Sequence, residues 1–288
     1  MGVAEAWVSK ESLPKYIRPD ELANSFNFHF LDSKWDVKEL RTNITESFEL
    51  LTTTGAPASW VLENHDVTRS VNRFDLGLRG GGVDTPEKRF GDVSKFDIKR
   101  GTKRARAAAL LMLALPGGAY IYQGEELALP EATGIPKDRL TDPRWKLSGY
   151  TDPGRDGCRV PIPWKADVAG SYGFSSNPKL GDSDSWLPQP KHWGTLSVEI
   201  QERDPESTLN LYRAALDIRH REPGLGDGTM EWIDTDKDVL AFSRPGGFAC
   251  YVNFGKAIPV PAGEILLSSN PVQSDLLETD TAIWIRTK

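Results

Sequence analysis

The sequence is poor in cysteine and has no long apolar run. Only two of its 288 residues are cysteines, Cys158 and Cys250, which is too few for a disulfide framework and is compatible with a reducing cytoplasm. No stretch reaches the roughly 18 apolar residues that a membrane-spanning helix needs, and the N-terminus shows no signal peptide. We therefore expect a cytoplasmic protein without a membrane partner.

Histidine is also scarce, and charge of neither sign dominates. The four histidines have no metal-ligand spacing, so we expect neither a metal ion nor another cofactor. The net charge is −6, and acidic and basic residues are interspersed, which makes a poor surface for nucleic acid. A chain of this length with 39% hydrophobic residues can form one large domain and a small one.

Four short apolar runs separated by helical patterns predict an α/β fold. The runs cover residues 2–8, 24–31, 59–62 and 119–122, and helical periodicity covers residues 35–51 and 97–115. Fully apolar strands that alternate with helices are typical of a parallel sheet covered on both faces. Residues 127–195, rich in Pro, Gly, Asp and Trp, are predicted to be a long loop excursion, and residues 196–221 a further helix.

The last part of the chain has a different pattern. Short β-type runs cover residues 230–233, 239–242, 248–252 and 282–285, with turn residues between them. This spacing predicts a small antiparallel β-sandwich domain. We therefore place a barrel-type domain at residues 1–224 and a C-terminal all-β domain at residues 225–288.

Polar side chains follow three of the four apolar runs. They are Glu5, the Asn64-His65-Asp66 tripeptide, and Gln123, Glu125 and Glu126. Such groups lie at the C-terminal ends of parallel strands, where α/β barrels carry their active sites. Taken singly, each has a simpler explanation as a strand end, a turn or a helix start. Arg155 and Arg159 would by themselves be surface charges. The groups become informative in combination.

Four segments in the same order resemble the α-glucosidase and oligo-1,6-glucosidase branch of the α-amylase superfamily, glycoside hydrolase family 13. They are residues 3–7 (Val-Ala-Glu-Ala-Trp), residues 61–69 (Val-Leu-Glu-Asn-His-Asp-Val-Thr-Arg), residues 120–127 (Tyr-Ile-Tyr-Gln-Gly-Glu-Glu-Leu) and residues 154–164 (Gly-Arg-Asp-Gly-Cys-Arg-Val-Pro-Ile-Pro-Trp). The resemblance implies the C-terminal half of a (β/α)8 TIM barrel, strands five to eight, followed by the β-sandwich domain.

The resemblance also implies roles for individual residues. Retaining glycosidases use two carboxyl groups about 5–5.5 Å apart, one as nucleophile and one as acid/base. Glu5 would be the acid/base, with a pKa raised by burial and a neighbouring carboxylate. Asp66 would be the third catalytic carboxylate, His65 and Asn64 would bind the sugar, and Arg159 would orient a terminal glucose. The expected substrates are oligosaccharides or disaccharides with α-linked glucose.

The nucleophile that the resemblance calls for has no counterpart in the sequence. Family members carry it in a segment like Gly-Phe-Arg-Ile-Asp, upstream of the acid/base, and no such segment occurs here. We expect the isolated chain to be inactive and to need an N-terminal half, whether the cause is a gene fragment, a frameshift or internal start, or a split protein. Three possibilities stay open: a hydrolase specific for α-1,4 or α-1,6 linkages, a glucosyl transferase or isomerase such as trehalose synthase, and a non-catalytic sugar-binding remnant.

Overall fold

The computed structural model describes residues 2–18, 20–22, 24–52, 54–81 and 85–287. The chain forms two compact units. The first contains residues 1–62, 106–120 and 214–288, and the second contains residues 63–105 and 121–213. We call the first the strand unit, because it holds every β-strand of the described residues, and the second the loop unit.

The helices of the described residues are short, apart from three. Their bounds are α1 Phe28–Asp32, α2 Val37–Thr52, α3 Ser70–Leu76, α4 Pro86–Phe90, α5 Ile98–Ala114, α6 Pro143–Leu147, α7 Ala169–Gly173, α8 Val198–Arg203 and α9 Thr208–Arg221. The two helices predicted before residue 120 are confirmed as α2 and α5. Helix α5 begins after Asp97, whose side chain accepts a hydrogen bond from the backbone N–H of Lys99 at 2.9 Å, and it ends before Pro116.

The single helix predicted over residues 196–221 is wrong. The structure has two helices there, α8 and α9, with a break at residues 204–207. Pro205 disfavours a helical conformation at Asp204, so α8 ends at Arg203. A new helix then begins after Ser207, whose hydroxyl accepts a hydrogen bond from the Asn210 backbone N–H at 3.2 Å.

The four N-terminal runs each form a strand, in two parallel pairs. Their bounds are β1 Val3–Ala4, β2 Asn24–Ser25, β3 Ser59–Val61 and β4 Gly118–Tyr120, and β1 pairs with β2 while β3 pairs with β4. The Ser59 hydroxyl donates to the carbonyl oxygen of Ser25, which links β3 to β2. The second run was predicted too long, because Asn27 accepts a hydrogen bond from Phe30 N–H at 3.0 Å and begins helix α1.

The last part of the chain forms antiparallel sheets. Its strands are β5 Glu231–Trp232, β6 Val239–Arg244, β7 Phe248–Asn253, β8 Ile258–Pro259, β9 Glu264–Ser268, β10 Leu276–Leu277 and β11 Thr281–Arg286. Five of them form a sheet in the order β5-β6-β7-β11-β9, and β8 pairs with β10. Leu277 of β10 packs with Ala249, Ile283 and Ile285 on one face of the large sheet. From β11, the Trp284 indole donates to the Leu110 carbonyl of α5 at 3.1 Å. All four predicted β-runs are therefore confirmed as strands.

Two other predictions concern compartment and domain limits. No helix of the described residues is long and apolar enough to cross a membrane. Cys158 and Cys250 are both buried and free of disulfide bonds. The cytoplasmic location and the domain boundary after residue 224 stay predictions.

Candidate functional site

Glu5 directly follows strand β1 in the strand unit. The end of β1 is fixed because the Ala4 carbonyl accepts hydrogen bonds from Phe26 N–H at 3.1 Å and from the Ser25 hydroxyl at 3.2 Å. Glu5 itself is exposed. An acid/base role calls for a buried carboxyl group, and the described residues of this unit do not bury Glu5. The position of Glu5 after a parallel strand is what supports the predicted role.

A turn in the loop unit is formed by Asn64, His65 and Asp66, which lie at most five residues after the end of β3. The Asn64 side-chain carbonyl accepts a hydrogen bond from the Asp66 backbone N–H at 2.8 Å, so Asn64 shapes the turn that presents Asp66. The His65 side chain is 55% exposed, and its Nε2 lies 3.5 Å from Oδ1 of Asp66. Of the three, Asp66 has the most defined surroundings.

Two arginines hold one oxygen of Asp66. Arg155 Nη1 donates to Asp66 Oδ1 at 2.8 Å, and Arg159 Nη2 donates to the same oxygen at 2.9 Å. Arg159 Nε also donates to the His65 carbonyl at 2.7 Å, which anchors the guanidinium to the turn. No described residue donates a hydrogen bond to the other oxygen, Oδ2. Because the Asp66 side chain is 26% exposed, Oδ2 is available to a ligand.

Asp142 completes this group, and sequence reasoning missed it. Its buried carboxylate accepts hydrogen bonds from the Arg155 backbone N–H at 2.8 Å and from Arg155 Nε at 2.7 Å. Burial would raise the pKa of Asp142, but hydrogen bonds from the Arg155 side chain and from backbone N–H groups outweigh it and hold the pKa at about 2. The same pairing raises the pKa of Arg155. We call Asp66, Asp142, Arg155 and Arg159 the aspartate–arginine cluster.

The reason for the omission is that Asp142 and Arg155 carry little signal of their own. Asp142 precedes Pro143 in a loop-rich segment and acts as the N-cap of α6, where its Oδ1 accepts from Arg144 N–H at 2.9 Å. Capping is a common role for an Asp that directly precedes a Pro at a helix start, so the pair by itself does not indicate a ligand site. Arg155 lies in the same Gly-Arg-Asp-Gly-Cys-Arg motif as Arg159, and the family resemblance implies a role for Arg159 alone.

A second set of acidic side chains is buried around Arg69. Arg69 Nη1 donates to the Gln123 carbonyl at 3.0 Å, and its Nη2 donates to the Cys158 carbonyl at 3.0 Å. Glu63 Oε2 lies 3.4 Å from Nη1, and Glu131 Oε2 accepts from the Arg69 backbone N–H at 2.9 Å. Arg69 thus joins three segments of the loop unit through its own donors.

Two of the buried glutamates hold their protons more tightly than usual. Burial and the nearby Glu63 raise the pKa of Glu125 well above its usual value, although the Tyr212 hydroxyl donates to its Oε1 at 2.7 Å. Burial raises the pKa of Glu131 to about 7, against the opposing effect of the Arg69 N–H. Glu125 follows strand β4, as predicted, and the structure shows in addition that it is buried. The Tyr212 hydroxyl and the Tyr122 backbone N–H both donate to its carboxyl group, so its contacts are structural ones within the loop unit.

Comparisons with known proteins agree on one family. Residues 1–228 match the family profile described as "Alpha amylase, catalytic domain". A probable alpha-glucosidase of Rhizobium meliloti is 36% identical over 191 residues, which are 66% of this chain and 29% of the relative. The oligo-1,6-glucosidase IMA5 of Saccharomyces cerevisiae is 28% identical over 228 residues, which are 71% of this chain and 35% of the relative.

A solved structure extends the match to nearly the whole chain. The alpha-glucosyl transfer enzyme XgtA is similar with a TM-score of 0.71 and 27% sequence identity, over 99% of this chain and 50% of that one. The fold is that of the α-amylase superfamily, a TIM barrel with a β domain, which confirms this much of the fold prediction. The chain spans about a third of the length of the two curated relatives and half that of XgtA.

Proposed function

Because the chain belongs to the α-amylase family, we propose that it is part of a retaining glycosidase that acts on short α-linked glucosides such as maltose or isomaltose. In this proposal, strands β1 to β4 are barrel strands five to eight. Residues 1–224 are then a partial barrel domain that includes the excursion 127–195, and residues 225–288 are the β domain. The two curated relatives, a probable alpha-glucosidase and an oligo-1,6-glucosidase, support this substrate class.

The aspartate–arginine cluster is the observation that carries the proposal. Asp66 is held through Oδ1 by two guanidinium groups while its Oδ2 accepts no hydrogen bond from a described residue. A carboxylate fixed in this way can accept a hydrogen bond from a sugar hydroxyl without reorganising. It then stabilises the positive charge that develops on the sugar ring in the transition state. The partly exposed guanidinium of Arg159 and the exposed imidazole of His65 can donate to the same sugar.

Glu5 would supply the proton chemistry. As the acid, it donates a proton to the glycosidic oxygen while the bond to the leaving sugar breaks. As the base, it then takes a proton from the water that releases the second sugar. The covalent step between these two requires a carboxylate nucleophile. We propose that this nucleophile lies outside the 288 residues and that the chain by itself does not turn over substrate.

A chimera tests the proposal. The part of the Rhizobium meliloti relative that precedes its matched segment would be fused to this chain. Maltose is the substrate, because its poor leaving group depends on protonation. We expect the isolated chain to be inactive and the chimera to be active. In the chimera, Glu5→Gln should lower kcat by about 10²- to 10⁴-fold, and Asp66→Asn by about 10²- to 10³-fold.

The exposed Glu11 provides the matched control, since Glu11→Gln should leave kcat unchanged. Steady glucose release by the isolated chain would contradict the missing nucleophile. An active chimera in which Glu5→Gln stays within threefold of the parent would remove Glu5 from the mechanism.

Transfer to a sugar acceptor is the second candidate, and the similarity to XgtA, described as an alpha-glucosyl transfer enzyme, favours it. Hydrolysis and transfer share every step up to the glycosyl-enzyme and differ in whether water or a sugar attacks it. The active chimera at high maltose concentration separates them. Accumulation of trisaccharide in preference to free glucose indicates a transferase, and free glucose alone indicates a hydrolase.

A further inference from the structure

A cavity of about 400 Å³ opens in the loop unit. Its volume lies in the range of small-molecule pockets, which is about 300–1,000 Å³. Most of its lining is apolar, with aromatic and aliphatic side chains from two stretches of the chain: Phe90 and Val93 from the first, and Ile135, Leu140, Trp145 and Tyr150 from the second. Residues distant in sequence therefore form the cavity together. The cavity has no part in the chemistry proposed for Asp66.

Tyr150 is the most unusual part of the lining. The residue is 61% exposed, and its backbone has a φ of +67°, a value that residues other than glycine seldom adopt. The conformation is held because Tyr150 N–H donates to the Trp145 carbonyl at 2.8 Å after the end of α6. The Tyr150 ring meets Trp145 edge to face, with ring centroids 5.4 Å apart. The backbone therefore holds a large, solvent-exposed aromatic ring beside an apolar cavity. Strained backbone positions of this kind are concentrated at ligand sites.

The lining chemistry favours a flat aromatic ligand over a sugar. Thr133, Lys137 and Thr151 provide the polar side chains of the lining besides the Tyr150 hydroxyl and the Trp145 indole N–H, and the Thr151 hydroxyl already donates to the Ser148 carbonyl at 2.9 Å. A pyranose carries hydroxyl groups around its ring edge, and these few polar side chains could not provide partners for all of them. An aromatic ring has no such requirement and packs edge to face or offset against other rings.

The charge at the cavity selects among aromatic ligands. Lys137 is exposed and makes no ion pair with any residue in the described part of the chain. Its ammonium group would favour an anionic substituent on the ring. We propose that this cavity binds a single-ring aromatic carboxylate, with the ring against Tyr150 and Trp145 and the carboxylate at Lys137. This site does not depend on the proposed glycosidase function.

Calorimetry on the full 288-residue chain tests the proposal with a matched pair of probes, 4-hydroxybenzoate and its neutral amide, 4-hydroxybenzamide. For ligands of this size we expect a Kd between about 0.1 and 2 mM for the benzoate. The amide should bind about threefold more weakly, as one exposed charge pair allows. Methyl α-glucoside should not displace the benzoate.

Variants locate the binding on the cavity. Tyr150→Gly removes the ring in a backbone conformation that glycine adopts freely, so folding is retained, and it should weaken binding at least tenfold. Phe174→Ala, at an aromatic ring of similar exposure outside the cavity, should not. Lys137→Gln should abolish the preference for the benzoate, while Lys146→Gln should keep it. Absence of benzoate binding, equal binding of the amide, or unchanged binding by Tyr150→Gly would each overturn the proposal.

Discussion

Asp142 accepts three hydrogen bonds from a single residue, Arg155. They come from the Arg155 backbone N–H at 2.8 Å, from Nε at 2.7 Å and from Nη2 at 3.3 Å. The remaining terminal nitrogen, Nη1, donates to Asp66. A bidentate contact of this kind fixes the plane of a guanidinium group. Asp142 therefore determines the direction in which Arg155 reaches Asp66.

The first prediction concerns Asp142→Asn. An amide at this position would turn a donor towards Arg155 and remove the charge that pairs with it, so the free energy of unfolding at pH 7 should fall by about 2 kcal/mol. Urea denaturation measures this change. The pKa of Asp142 is lowered to about 2 in the folded protein, so its stabilisation is present above the usual pKa of 3.8 and is lost as pH falls through 2.

The difference in the free energy of unfolding between the parent and Asp142→Asn should therefore become smaller as the pH falls from 4 to 2. Asp138→Asn, at an exposed aspartate in the same loop, is the control and should change stability by less than about 0.5 kcal/mol. Equal stability of all three proteins at pH 7 would show that Asp142 does not hold Arg155 in solution.

The second prediction concerns Gly154→Ala. Gly154 has a φ of +73°, and a Cβ atom there would lie 2.5 Å from Cγ of Asp142, so the substitution adds both strain and a clash. We expect the free energy of unfolding to fall by about 2–4 kcal/mol. Gly134 separates the two effects, because its φ is +81° but no atom lies within 4 Å of the added Cβ. Gly134→Ala should cost about 1–2 kcal/mol, and equal losses at both glycines would exclude the clash with Asp142.

Elements defined by neighbours in sequence could be predicted well. Helix α5 has an apolar periodicity, a capping residue at Asp97 and a stop at Pro116, all within one stretch of chain. The four C-terminal β-runs likewise show their strands directly. The split between α8 and α9 could have been found by the same means, because Asp204-Pro205 is a local signal that a helix stops.

Contacts between distant segments could not be predicted. Glu125 has the local pattern of a helix start, and its buried carboxyl group is hydrogen-bonded to Tyr212, which is 87 residues away in sequence. The pairing of Asp142 with Arg155 depends on a loop closing across 13 residues, and neither residue type indicates its partner. The Asn64-His65-Asp66 motif was predicted as a site because it resembles a family segment. The sequence does not indicate that two arginines surround this motif, and only the three-dimensional structure shows their contacts.

The third prediction concerns Arg69→Met. Arg69 is fully buried, and its guanidinium lies beside Glu63 while its backbone N–H binds Glu131. Removing this cation deprives the neighbouring buried carboxyl groups of a partner charge, so the free energy of unfolding should fall by about 3–5 kcal/mol. Chemical denaturation checks this, with Arg203→Met at an exposed arginine as the control. A loss below 1 kcal/mol would mean that the glutamates do not depend on Arg69.

The fourth prediction is a pH dependence that comes from Glu131. Its pKa is raised from 4.5 to about 7 in the folded protein, so between these values the folded state keeps a proton that the unfolded chain has released. Stability then falls as pH rises through this window and levels off above pH 7, with a contribution of about 3 kcal/mol from this one group. Denaturation midpoints measured from pH 4.5 to pH 8 should show the decline in the parent protein.

Glu131→Gln should remove that contribution, because the glutamine side chain stays neutral and its carbonyl can still accept the hydrogen bond from the Arg69 backbone N–H. The variant should therefore gain stability relative to the parent by about 3 kcal/mol between pH 5 and pH 8. Glu125 has a raised pKa as well, so both proteins keep a residual slope, and only their difference reports on Glu131. Glu206→Gln, at an exposed carboxylate, should run parallel to the parent. A difference between the parent and Glu131→Gln that does not change with pH would mean that Glu131 is ionised throughout the window. The buried cluster would then hold the Glu131 carboxylate charge next to Arg69.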